Sequence, residues 1–352
     1  MDYESAIMLE LQSKVPRPTQ PKKHRRVMCV GMCVLDLIHI CKEFPQEDTD
    51  KNCEEGYLQR GGNASNNCTV LRLLGCDCDF LGMLSDGPHF KVLIEDCIKR
   101  KIGITYCPHT PKEPPFSSVI LVRDTRTIIH SNSDFPMLTH EHFKAVNLDE
   151  FSWVHFEARN VKDTVNMLRD IHEYNKSAAY RIMLSVEFER LCEENLSLGN
   201  WVDYIFLSKD FAIYLGWTNP RDAVFSLREK LILITERNYT KCSIICPWGA
   251  CGVSVLDTVD KYYHIPATKP DNIIDTLGAG DTFLAATIYA LHHMDLTLTD
   301  AVIFGNNCAG YKLGHRGYDA INEFNPVDAS SQNDPKLPEG ENEDVCLSAL
   351  KS

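Results

Sequence analysis

Short apolar runs and longer helical stretches alternate along the middle of the chain. VMCVG (27–31), FLGML (80–84), WVHFE (153–157), IMLSVE (182–187), YIFLS (204–208) and SIICP (243–247) are nearly continuous in apolar character and of strand length. Such runs describe strands buried on both faces, as in parallel sheets covered by helices. Helix-like stretches at 63–74, 90–101, 162–175 and 220–233 separate several of them. In the first, Ala64, Cys68, Leu71 and Leu74 mark one face at a spacing near 3.6 residues. The alternation predicts an α/β fold with a doubly wound, mainly parallel sheet flanked by helices. Two segments, 37–60 and 117–133, instead read as extended chain of alternating character. Together they predict a small β-sheet lid over the main sheet.

The ends do not join this pattern. Residues 1–24 mix prolines with acids, and a basic cluster, Lys22 to Arg26, follows. Residues 322–352 are rich in proline, serine and acids. Both read as disordered tails, because neither composition can bury a core. The domain is therefore expected to span 25–321. With 352 residues, 44% apolar and 24% charged, the chain has the composition of a soluble globular protein. Its net charge of −13 argues against nucleic-acid binding. No apolar run approaches the ~20 residues needed to span a bilayer. The fifteen cysteines are scattered through strands and helices with no C-x-x-C pair, which speaks against structural zinc and for reduced thiols in the cytoplasm.

The stretch NIIDTLGAGDTF, from Asn272 to Phe283, carries the strongest chemical signal. Gly278 and Gly280 allow a sharp turn with the backbone close to a ligand. The amides of Ala279, Gly280 and Asp281 then stand at the positive end of the following helix, which makes an anion site suited to phosphate. Asp281 is placed to accept a proton from an incoming hydroxyl. The helix N-terminus is expected to keep it ionised and a weak base. A Rossmann loop and an ordinary acidic helix start are the competing readings of this turn. Upstream, Asp36 follows the first strand, where α/β sheets collect ligands. RGGNASNN, from Arg60 to Asn67, opens a helix on a second glycine pivot. Asn63 and Asn66 project to one side of its first turn, and their amides match sugar hydroxyls as well as they match simple capping.

GGNASN followed far downstream by DTLGAGDTF resembles the ribokinase (PfkB) carbohydrate kinases. CVGMCVLDLIHICKEFPQEDTD, LQRGGNASNNCTVLRLLG, HFEARN, FLSKD and FGNNCAGYKLGHRGYD extend the resemblance over about 27–321. Ser208-Lys209-Asp210 stands where most members carry N-x-x-E. This is similar to the branch that phosphorylates fructose at its C1 hydroxyl. The resemblance implies an ATP-dependent kinase making fructose 1-phosphate, with Asp281 as general base and Gly278, Ala279 and Gly280 forming its anion hole. Asp36, Gly62, Asn63 and Asn66 match fructose-binding positions. Arg126 matches a lid arginine that reaches the phosphates, and Lys209, Trp248, Gly249 and Gly252 match nucleotide positions, as do Gly278 and Gly280. Asp48 and Asp50 match acids inserted into a partner's sugar site, which implies a homodimer clasped through the lids. ATP and Mg2+ are the implied cofactors, with K+ as a further candidate, and no side chain is assigned as a metal ligand. The chain departs from that branch at Asp50, Thr125, Arg190-Leu191, Leu284, Asn306 and Leu313. A kinase for another ketose, ribose or a nucleoside and a catalytically silent binding homologue are the rival readings.

Overall fold

A computed structural model of the chain describes residues 26–123, 125–131, 134–235 and 241–325. The N-terminal tail, 1–24, and the C-terminal tail beyond 325 lie outside the described residues. In chain order the strands begin β1 (Arg26–Val30), β2 (Val34–Cys41), β3 (Glu55–Gly61), β4 (Cys78–Leu81), β5 (Leu84–Ser85), β6 (His109–Thr110) and β7 (Phe116–Val122). They continue with β8 (Thr125–Ser131), β9 (Phe151–Phe156), β10 (Met183–Phe188), β11 (Tyr204–Leu207), β12 (Ser243–Pro247), β13 (Val253–Leu256) and β14 (Tyr262–Ile265). The helices are α1 (Asn63–Leu73), α2 (Lys91–Lys99), α3 (His140–Phe143), α4 (Val161–Ser177), α5 (Lys209–Tyr214), α6 (Pro220–Thr235), α7 (Ala279–His292) and α8 (Leu298–Leu313).

The main sheet runs β14-β13-β12-β11-β10-β9-β1-β4. Pairing is parallel from β4 to β12 and antiparallel for β13 and β14. Successive residues of β1 feed opposite cores. Val27 and Cys29 pack with α1, α2, α7 and α8, whereas Met28 and Val30 pack with α3 to α6. That division is why the strand is apolar throughout, and it yields the expected α/β architecture with helices on both faces.

The antiparallel pair β13–β14 extends the sheet beyond the strands read from the sequence. Tyr262, Tyr263 and His264 are only half-buried, so β14 has none of the continuous apolar signal of the central strands. At the other end, Phe324 packs its ring on Phe304 and Tyr311. The packed body thus runs to Phe324, past the boundary expected at 321. None of the described cysteines is in a disulfide.

A separate sheet, β3-β2-β7-β8, forms the lid. Asp36 lies opposite Gln59 and Ser117, Ser117 opposite His130, and Leu121 opposite Arg126. Directly opposite residues present their side chains on one face. Asp36, Ser117, His130 and Arg126 therefore share a lid face. The connection from β2 to β3 leaves Asp48 and Asp50 exposed.

Candidate active site

Helix α7 starts at a left-handed residue, Gly278, with φ 72°. A Cβ there would fall 1.9 Å from the Tyr318 hydroxyl, so both conformation and space require glycine. The first turn of the helix closes with Thr282 N donating to Gly278 O at 2.9 Å. The amides of Ala279, Gly280 and Asp281 precede that bond, and the Ala279 amide makes only a long 3.4 Å contact with Thr276 O. This is the open, positive helix end expected for an anion site. On lid strand β8, Arg126 reaches the same loop through Thr276 O at 3.4 Å.

The Asp281 side chain turns inward, 9% exposed, and its Oδ2 accepts from Asn66 Nδ2 at 2.8 Å. Burial pushes its pKa up to about 7. The Asn66 hydrogen bond opposes the shift, and the Glu189 and Glu157 charges add to it. The expectation of a fully ionised, weak base considered only the helix end; burial, the largest cause, moves the carboxyl the other way. A carboxylate poised near neutrality is a better proton acceptor than an ordinary one.

Helix α1 brings the second set of residues. Gly62, with φ 94°, has no room for a Cβ, which would lie 2.3 Å from Met32 O. The start of α1 is thereby pressed against the β1–β2 connection. Neither Asn63 nor Asn66 caps the helix, whose N-cap residue is Gly62 with no side-chain cap bond. Asn63 Nδ2 instead donates to Glu189 Oε2 at 2.8 Å and Glu187 Oε2 at 3.2 Å. Asn67 is fully buried in the core. Asp36 is buried beside Gly61, and burial pushes its pKa up to about 6 against a hydrogen bond from Ser117.

Three glutamates at this centre were missed as site residues. Glu157 accepts from Met32 N at 2.8 Å and Ala64 N at 3.2 Å, and pairs with Arg159 at 2.6 Å. It ties β9, the β1–β2 connection and the start of α1 together. Burial, then the charges of Glu189, Asp281 and Glu157, raise the Glu187 pKa well above the usual carboxylate range. Burial and Glu157 raise Glu189 as well. The signal for them was present: Glu157 directly follows β9, and Glu187 and Glu189 stand at the carboxyl end of β10, a placement like the one that singled out Asp36. Among the described residues no three such groups converge closely enough to hold a metal directly. The crowding of carboxylates nonetheless suits a hard divalent cation that keeps its waters, as Mg2+ does.

Behind the anion loop lies an ion pair with no local signature in the sequence. Lys312, 0% exposed on α8, meets Asp275 Oδ2 at 2.8 Å and donates to Asp275 O at 2.9 Å. Asp275 also accepts from Leu277 N and Gly317 N, each at 2.9 Å. The Lys312 ammonium lies 5.8 Å from the centroid of the Tyr318 ring. The sheet end at β12 is arranged differently from this centre. Lys209 Nζ stands 5.8 Å from the centroid of Trp248, whose indole is only 3% exposed and so not an open platform for a base. Gly249 and Gly252 belong to the turn after β12, closed by Trp248 N donating to Gly252 O at 2.7 Å. Asn306 donates to Pro266 O at 2.8 Å and Thr268 Oγ1 at 3.1 Å, so its amide nitrogen is engaged internally. Leu284 is a core residue. Asp48 and Asp50 are not brought to the chain's own site.

Comparison with known proteins agrees with this geometry. The pfkB family carbohydrate kinase profile matches residues 24–324. Mouse ketohexokinase is 35% identical over 304 residues, covering 85% of this chain and 99% of the mouse protein. Among solved structures, ribokinase from Giardia lamblia superposes with a TM-score of 0.72 at 14% identity, covering 87% of this chain and 98% of that one. Ribokinase from Cryptococcus neoformans in complex with ADP superposes with a TM-score of 0.66 at 15% identity, covering 89% of this chain and 100% of that one. At such identities the structures support the fold alone, whereas the family match spans both pivots and the Asn66–Asp281 contact between them. The chain belongs to the pfkB family of carbohydrate kinases.

Proposed function

We propose that the chain transfers the γ-phosphate of ATP to the C1 hydroxyl of D-fructose, giving fructose 1-phosphate and ADP. The observation that carries this reading is Asp281, buried at an open helix N-terminus and gripped by Asn66 at 2.8 Å. The ketohexokinase similarity supports fructose as the acceptor. Asp36, Asn63 and Asn66 hold the sugar, and the C1 hydroxyl faces Asp281. Its proton passes to the Asp281 carboxylate as the oxygen attacks the γ-phosphorus and the bond to the ADP oxygen breaks. Phosphoryl transfer has a loose transition state, so positioning and charge stabilisation dominate. The amides of Ala279, Gly280 and Asp281 meet the negative charge with Arg126 beside them. Glu187 and Glu189 would hold Mg2+ through its waters, and the bound ion would neutralise phosphate charge. Lys209 and the 249–252 turn serve the nucleotide, and K+ is a candidate activator. The free, mostly buried thiols suit a reducing compartment such as the cytoplasm.

Product regiochemistry tests the reading. Phosphorus and carbon NMR should give fructose 1-phosphate as the main product, with ribose, glucose and adenosine turned over less efficiently. Fructose 6-phosphate as the main product would assign the chain another acceptor geometry. Adenosine as the best acceptor would overturn the sugar pocket.

The active form is proposed to be a homodimer joined through the lids. The support is an exposed lid bearing Leu58, 56% exposed, and Ile129, 56% exposed, with the acidic Asp48 and Asp50 on its β2–β3 connection. Sedimentation at assay concentration should find a dimer. A fully active monomer would sink that assignment.

A further inference from the structure

The lid carries a polar row of which the transfer scheme uses only Asp36. Asp36 on β2 lies directly opposite Ser117 on β7, and Ser117 directly opposite His130 on β8. The same lid face holds Arg126, which reaches the anion loop. Ser117 is 2% exposed, it stands directly opposite Asp36 on the same lid face, where its hydroxyl favours the ionised carboxylate, and its Oγ lies 3.1 Å from His130 Nδ1. A serine hydroxyl has one proton to donate. When that proton goes to the Asp36 carboxylate, the oxygen must accept from His130, and Nδ1 must carry the ring hydrogen. A tautomer fixed in this way leaves Nε2 to the exposed side of the ring.

We propose that His130 is a positioning residue for the sugar acceptor, acting through Ser117 to hold the Asp36 carboxylate ionised and aimed at the acceptor hydroxyls. The inference rests on the reading of Asp36 as a sugar ligand. Burial works against that ionisation, and Ser117 works for it. The other groups that sense Asp36 are Cys33 and Tyr318. The Tyr318 hydroxyl has no hydrogen-bond partner. Arg60, next to Gln59 on β3, directs its guanidinium to Asp96, Ser65 and Thr69 instead. On β8, Ile128 and Arg126 follow His130 along the same face. On the β7–β8 side, Ser117 with His130 behind it forms the polar row beside Asp36.

Ser117→Ala and His130→Phe test it, with His130→Gln as the conservative variant whose amide can still donate to Ser117. The fructose KM should rise about tenfold in the first two and much less in His130→Gln, the size expected for a hydrogen bond to a charged group. The KM for ATP should stay unchanged, and kcat should change less than the fructose KM. Calorimetry in an Asp281→Asn background isolates Asp36 at the acceptor. There fructose binding should weaken as pH falls through about 6. In Ser117→Ala the weakening should begin at higher pH, because losing a donor raises a carboxyl pKa. Nitrogen-15 NMR of the imidazole should show the Nδ1–H tautomer at neutral pH. An Nε2–H tautomer, or an unchanged fructose KM in Ser117→Ala and His130→Phe, would overturn the proposal. Absence of any sugar phosphorylation by the unaltered protein would instead remove the functional reading, and the tautomer would still decide the row.

Discussion

Asp281→Asn is expected to lower turnover by about 10²–10⁴-fold, or about 3–5 kcal/mol of barrier, while nucleotide affinity changes little. Asparagine keeps the size of the side chain and leaves the backbone amides of the anion site in place. What it removes is the proton acceptor. The pH profile makes the same point independently. With its pKa pushed up to about 7, Asp281 is protonated and idle below that pH. The fructose kcat/KM should therefore climb as pH rises through about 7 and level off above it. That limb should vanish in Asp281→Asn. Turnover within about tenfold of the parent, or an unchanged acid limb, would mean that another group takes the proton.

Asp275→Ala should destabilise the fold by about 3–5 kcal/mol, because it strands the Lys312 ammonium in a dry interior. The amides of Leu277 and Gly317 would lose their acceptor as well. Burial already lowers the Lys312 pKa against the pull of Asp275, so without that partner the amine either stays charged at a desolvation cost or gives up its proton, and both are losses for the fold. Removing both partners, as in Asp275→Leu with Lys312→Met, should recover most of the lost stability. Turnover should not recover with it. The carboxylate and the Asp275 carbonyl fasten the anion loop to the end of α8, and an apolar pair packs there without reproducing those bonds. Denaturant melts read the first effect and steady-state kinetics the second. If the double variant proved as unstable as Asp275→Ala, the stranded charge would not be the cause. If it regained full turnover, the tether would not matter to catalysis.

Much of the architecture could be read before any coordinate was known. The strands from Arg26 to Pro247 that make the parallel part of the sheet are apolar on both faces, and no other common setting suits such runs. The lid also announced itself, because its alternating segments break the rhythm of strand and helix. The pair β13–β14 stayed hidden because an edge strand is wet on one side and its composition is mixed. Residues of the glycine pivots were legible for the same reason as the sheet: local geometry demands them. Gly62 and Gly278 both adopt positive φ against a neighbour that excludes a Cβ.

The sequence alone thus determined the parallel strands, the longer helices that separate them and the two glycine pivots, and it singled out the start of α7 as a candidate anion site. Each depends on periodicity or backbone conformation within a few neighbouring positions. Tertiary structure decided what those residues do to one another. Asn66 meets Asp281 only because α1 and α7 pack side by side. Glu157, Glu187 and Glu189 gather only because parallel strands end together. The raised pKa of Asp281 followed from burial and those contacts, since desolvation and neighbouring charge act through space. Lys312 is the plainest case. A lysine in the last turn of a helix of mixed composition gives no local sign of its partner, and its role was fixed by the carboxylate that folding set 2.8 Å away.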